Sequence, residues 1–134
     1  MDANRSRASG VGLERLCTGA PADWMRSSAA EYGVERLEAW LRGAAYRAHR
    51  HDTYAIGVTE RGVQTFDYRG RVETSRPGQV AVLHPDEAHD GRAGTEGGFG
   101  YRIVYVEPAR IAAAVHAITG HPTALPFVRQ PVLD

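Results

Sequence analysis

Between Val34 and Val106 the chain is interrupted at short intervals by residues that turn it: Glu60-Arg61-Gly62, Tyr68-Arg69-Gly70, Arg76-Pro77-Gly78, His84-Pro85-Asp86 and the glycines from Gly94 to Gly98. Glycine supplies the positive φ that tight turns need, and proline fixes the angle at which the chain enters them. The stretches between these turns alternate with a period of two. Leu37, Ala39 and Leu41 alternate with Arg36, Glu38 and Arg42. Tyr54, Ile56 and Val58 alternate with Ala55, Gly57 and Thr59, and Tyr101, Ile103 and Tyr105 with Arg102, Val104 and Val106. A period of two places one set of side chains on each face of a strand. Many short strands with frequent turns specify a sandwich or a barrel and exclude an alternating α/β fold.

One helix is expected. Pro108 opens it, Ile111, Val115 and Ile118 form an apolar stripe, and Gly120 closes it. At 134 residues the chain accommodates a single domain. Its expected extent is 23–120, preceded by a flexible arm over 1–22 and followed by a proline-bearing tail over 121–134. That tail suggests continuation into a longer protein. Lysine plus arginine and aspartate plus glutamate number 16 each, so no polyanion partner is signalled for this domain. The longest apolar run falls far short of the ~20 residues a spanning helix needs. A single cysteine, Cys17, excludes an internal disulfide framework and reads as an incidental thiol. The first twenty residues do not form a secretory signal, and a cytoplasmic location is the expectation.

Four of the six histidines lie between positions 49 and 89. On a strand, His49 and His51 would project from the same face and offer two neutral nitrogens to one divalent metal. His89 is the third candidate ligand, with Zn, Fe or Ni as the candidate ions. His84 precedes a turn proline and is expected at the surface or in a turn.

The spacing around these histidines carries more information. Gly43 stands six positions before His49, and Gly62 eleven after His51. Gly78 stands eleven before His89, with Pro85 between them. These intervals resemble the two motifs of the cupin superfamily, with Ala55 where the family places a glutamate and Ala93 where it places an asparagine. His49-Arg50-His51-Asp52-Thr53-Tyr54, and Pro77-Gly78-Gln79 leading to His84-Pro85-Asp86-Glu87-Ala88-His89, are similar to the N-terminal effector-binding domains of AraC/XylS-type transcription regulators. The likeness runs over about residues 34–118.

That resemblance implies a cupin-like antiparallel jelly-roll barrel, or double-stranded β-helix, with one C-terminal α-helix. It implies a non-enzymatic ligand sensor with a small-molecule effector inside the barrel, in a pocket of roughly 300–1,000 Å³. His49, His51, Tyr54, His89, Tyr101 and Tyr105 are the candidate ligand-binding residues, through hydrogen bonds and aromatic contact. DNA would be bound only by a further C-terminal region, and a homodimer is expected from paired operator sites. The alternative is a metal-dependent cupin enzyme, a three-histidine dioxygenase or isomerase. Replacement of the glutamate by Ala55 weakens that alternative by removing a ligand and its charge.

Overall fold

The computed structural model describes residues 23–42 and 44–134. The arm expected over 1–22, with Cys17, and the motif glycine Gly43 lie outside the described residues. Among the described residues the order is β1 (Trp24–Ser27), β2 (Val34–Leu41), β3 (Ala44–His49), β4 (Tyr54–Gly62), β5 (Gln64–Tyr68), β6 (Arg71–Ser75), β7 (Val80–Leu83), β8 (His89–Ala93), β9 (Phe99–Val106), α1 (Pro108–Thr119) and β10 (Val132–Leu133). The strands form two antiparallel sheets. One has six strands in the order β1-β2-β9-β4-β7-β10, and the other four in the order β3-β8-β5-β6.

The core lies between the sheets. β2 contributes Leu37, Ala39 and Leu41, β9 contributes Phe99, Tyr101 and Tyr105, and β5 contributes Phe66 and Tyr68. Register explains the size distribution on the inner face. Tyr105 lies opposite Ala55, Ile103 opposite Gly57, and Tyr101 between Thr59 and Ala39. Large side chains on the central strand therefore face small ones on its neighbours. A Cβ at Gly57 would approach Ile103 Cγ1 to 3.1 Å, which accounts for glycine at that position. The inner face of β4 is thus the Ala55, Gly57 and Thr59 set, and the aliphatic Ile56 and Val58 face outward.

Two polar features join the layers. Thr59 Oγ1 of the six-stranded sheet and Ser75 Oγ of the four-stranded sheet are 2.7 Å apart and both buried. At the β4–β5 corner Gly62 has φ +68°, and a Cβ there would collide with the Gly98 carbonyl oxygen. Only glycine fits that crossing.

α1 begins at Pro108 and is capped by Gly120 in the left-handed conformation, φ +83°. Its expected apolar stripe does not enter the core: no residue of α1 is buried, and Ile118 is 84% exposed. The segment after α1, expected as a departing tail, returns to the sheet. Val82 N–H donates to Pro131 O at 2.8 Å, and Val132 pairs with Ala81. None of the described helices is long and apolar enough to cross a membrane.

Candidate metal centre

β3 ends on His49 and β8 begins on His89, and the two residues are paired across the four-stranded sheet. His51 is not on the same strand as His49, contrary to the sequence expectation, because β3 stops at His49 and β4 starts only at Tyr54. The link between them carries His51 back toward the pair. Its position is held by the Asp86 N–H, which donates to the His51 carbonyl at 2.6 Å. Asp86 itself has φ +62°. Side-chain alternation along one strand therefore does not bring the imidazoles together; a folded link does.

The three rings form a compact group. Centroid separations are 4.7 Å for His49–His51, 4.6 Å for His49–His89 and 5.3 Å for His51–His89. One ring nitrogen from each residue lies within 4.8 Å of the others. His49 Nδ1 donates to Arg47 O at 2.8 Å, and His89 Nδ1 donates to Glu87 O at 3.2 Å. With Nδ1 carrying the proton, Nε2 of both residues presents its lone pair, which is how backbone carbonyls orient metal-binding histidines.

Burial lowers all three proton affinities. His51 is pushed down to about 3, first by loss of water and then by the neighbouring His49 and His89. His89 is pushed down to about 4, again chiefly by burial, and His49 is lowered for the same reason. The imidazoles are therefore neutral near pH 7, the form a metal requires. Two nitrogen ligands at ~2.0–2.1 Å from one ion stand about 2.9 Å apart at a right angle and about 3.3 Å at the tetrahedral angle. The Nε2 atoms of His49 and His51 are 3.0 Å apart, a separation that suits two ligands of one divalent transition metal, and His89 brings a third nitrogen within 4.8 Å of them.

Tyr105 lies against this group, its ring 4.9 Å from His51. Tyr101 is stacked on Phe99 at 5.5 Å and stands further along the same inner wall. A cavity of about 30 Å³ remains beside His49 and His89, bounded also by Gln64, Asp90, Tyr101 and Tyr105. That is space for about one water molecule. It does not reach the hundreds of cubic ångströms expected of an interior effector pocket, because the tyrosines fill the volume. A larger cavity, about 610 Å³, lies on the outer face of the six-stranded sheet among Arg36, Ile56, Val58, Val80, Arg102 and Val104, away from the histidines.

Tyr54 requires correction. It shares the outward face of β4 with Ile56 and does not line the inner cavity. Its hydroxyl donates to Pro126 O at 2.9 Å, beneath the segment that follows α1. His84 does lead into the turn at Pro85 and Asp86, but it is buried and not at the surface. Its Nε2 accepts from Val128 N–H at 3.0 Å, and its backbone N–H donates to the Tyr68 hydroxyl at 2.9 Å.

Arg69, Glu87 and Gln64 were not among the candidate site residues. Gln64 shares period two with Phe66 and Tyr68 on β5, which would have placed it on the inner wall. Arg69 and Glu87 had no such signal, because both lie at turns.

A family model described as the AraC-like ligand binding domain matches residues 31–133. No curated protein matches the sequence. Among solved structures, a cupin 2 conserved barrel domain protein from Leptotrichia buccalis superposes with a TM-score of 0.60 at 18% identity, over 70% of this chain and 45% of that one. The cupin_2 domain of an XRE family transcriptional regulator from Enterobacter cloacae gives 0.54 at 15% identity, over 63% and 97%. KdgF from Halomonas sp. gives 0.55 at 18% identity, over 66% and 82%. At these identities the likeness establishes the fold, which is that of the cupins.

Proposed function

The chain belongs to the family of AraC-like ligand binding domains, and from that premise we propose that it is a ligand sensor whose effector site is centred on a divalent metal held by His49, His51 and His89. The observation that carries this reading is the convergence of three neutral imidazole nitrogens within 4.8 Å, two of them oriented by backbone carbonyls. Zn, Fe and Ni all suit an imidazole set. When bound, the ion supplies a Lewis-acidic centre with positions left for a small donor ligand. Around it Tyr105 packs on His51, and Gln64 and Asp90 give the adjoining cavity a polar wall. That wall selects for small, hydrogen-bonding ligands over bulky apolar ones.

In a regulator containing such a domain, occupancy of this centre would bias an attached DNA-binding region between two arrangements, each with its own affinity for the effector. Homodimerisation would match paired operator sites. A metal-dependent enzyme is favoured by the same three-histidine set. Against it stands Asp90, the carboxylate at the cavity, which accepts from Asp67 N–H at 2.8 Å and from Arg92 Nη1 at 3.1 Å. A carboxylate so engaged is a poor proton shuttle.

Elemental analysis of protein purified without chelator or a nickel column tests the reading. About one transition metal per chain is expected, lost in His89→Ala. A thermal-shift screen of small acids, sugars and aromatics on loaded and chelator-stripped protein then tests sensing. At a hundredfold excess over Kd a ligand adds about 2.7 kcal/mol. Absence of metal from the unmodified protein, or binding of effectors equally well without it, overturns the proposal.

A further inference from the structure

Residues 84–89 touch both the histidine centre and the segment that follows α1. At one end of this stretch, His84 Nε2 receives the Val128 N–H. In its middle, the Asp86 N–H holds the carbonyl of His51. At its far end, the Glu87 carbonyl accepts the Nδ1–H of His89. Glu87 also acts through its side chain: Oε2 takes Arg69 Nε at 2.6 Å, and Oε1 takes Arg69 Nη2 at 3.2 Å. The hydrogen bonds from Arg69 hold the Glu87 carboxylate below its usual proton affinity.

Arg69 carries the connection outward. Its Nη1 donates to Val128 O at 3.0 Å and to Arg129 O at 3.2 Å. Its guanidinium lies between two rings, 4.7 Å from the centroid of Tyr68 and 4.6 Å from that of Phe127. Phe127 also packs on His84 at 5.1 Å. Residues 126–129 thus form a strap latched by Arg69, His84 and Tyr54. Two bonds through Glu87 separate the latch from a candidate metal ligand. On the inner side, Tyr68 stands opposite His89 in the sheet, with the rings 6.4 Å apart.

We infer that Glu87 is a positioning residue for His89 and that, through Arg69, it couples metal occupancy to closure of the strap at residues 126–129. This rests on the metal reading above. The physical reason is geometric. The Glu87 carbonyl can orient the imidazole only while the backbone at residues 86–87 keeps its place, and the ion pair with Arg69 fixes that backbone from the side. A ligand-bound His89 in turn restrains the Glu87 carbonyl, which keeps the carboxylate in register with Arg69. Coupling of this kind is reciprocal. Metal must slow opening of the strap, and a loosened strap must weaken the metal by the same factor. Occupancy of a buried centre thereby becomes a change at the surface, where another part of a regulator can read it.

The test uses Zn²⁺ as the probe and reads two quantities, Zn²⁺ affinity by competition with a chelating dye and exchange of the Val128 amide by hydrogen–deuterium exchange. In the unmodified protein, Zn²⁺ is expected to slow Val128 exchange at least tenfold. Glu87→Gln keeps the carbonyl but removes the charge pair, and should weaken Zn²⁺ about tenfold to a hundredfold, the range typical of outer-sphere partners. Glu87→Asp should recover part of that loss. Phe127→Ala, at an exposed position that touches no histidine of the centre, guards against misfolding and should weaken Zn²⁺ severalfold while speeding Val128 exchange. Tight, His89-dependent Zn²⁺ binding that is unchanged in Glu87→Gln and Phe127→Ala, with Val128 exchange indifferent to metal, overturns the coupling and leaves the metal reading standing. No Zn²⁺ binding by the unmodified protein overturns both.

Discussion

Thr59 and Ser75 meet hydroxyl to hydroxyl at 2.7 Å, one from each sheet, in the closed interior. A buried hydroxyl left without its partner costs about 1–3 kcal/mol, whereas removal of both partners together is close to neutral. Thr59→Val, which keeps the shape, is therefore expected to lower stability by about 1–3 kcal/mol. Adding Ser75→Ala should recover part of that loss. Urea unfolding of the two single variants and the double variant checks it. Additive losses would show that the pair contributes nothing as a pair.

Acid should destabilise the metal-free protein through its histidines. In the unfolded chain the imidazoles titrate near ~6.5. In the folded chain His51 is lowered to about 3, His89 to about 4, and His49 is lowered too, all chiefly by burial. Below ~6.5 the unfolded state takes up protons that the folded state refuses, so this contribution is complete above ~6.5 and is lost progressively down to about 3–4. Melting temperatures of chelator-stripped protein between pH 7.5 and 4.5 should fall on acidification. His51→Asn should show a shallower fall, and an unchanged slope would contradict the burial of His51.

Removal of one imidazole should separate metal binding from folding. His51→Ala is expected to weaken Zn²⁺ at least about a hundredfold, since loss of an outer-sphere partner alone costs ten- to a hundredfold. Zn²⁺ at a thousandfold excess over Kd should add about 4.1 kcal/mol to the unmodified protein and little to the variant. Calorimetric titration together with thermal melts reads both quantities. Equal stabilisation of the two proteins would place the metal elsewhere.

Gly62→Ala tests the β4–β5 corner. The new Cβ would meet Gly98 O and Phe99 Cα at a residue with φ +68°, so steric overlap and backbone strain act together. A loss of more than about 2 kcal/mol is expected. Gly70→Ala, also at positive φ (+73°) but with open space around it, should cost less. Similar melting temperatures for the two variants would refute the close crossing.

How much of this was legible in the chain depends on what each segment faces. On β2, Leu37, Ala39 and Leu41 alternate with Arg36, Glu38 and Trp40, and the structure buries the face that the three share with Glu35. β9 was equally readable from Tyr101 and Tyr105. β4 was not, because it is apolar on both sides. Its inner face proved to be the one with small residues, Ala55 and Gly57, which leave room for Tyr105 and Ile103. Tyr54 was misplaced for that reason. His84 was misplaced because its neighbouring proline signals a turn, whereas its burial comes from Val128 and Phe127, more than forty positions away.

From the sequence alone, the period of two and the turn glycines determined an all-β domain, and the resemblance of its histidine motifs to those of the cupins added the type, with His49, His51 and His89 as candidate ligands. Such signals are local, and each is carried by a few adjacent residues. Only the tertiary structure decided that the three imidazoles gather with their nitrogens within 4.8 Å, that tyrosines fill the space beside them, and that Arg69 and Glu87 link the strap to His89. Those relations depend on strand register and on the path of a link between segments far apart in the chain. Neither composition nor periodicity specifies where such distant segments meet.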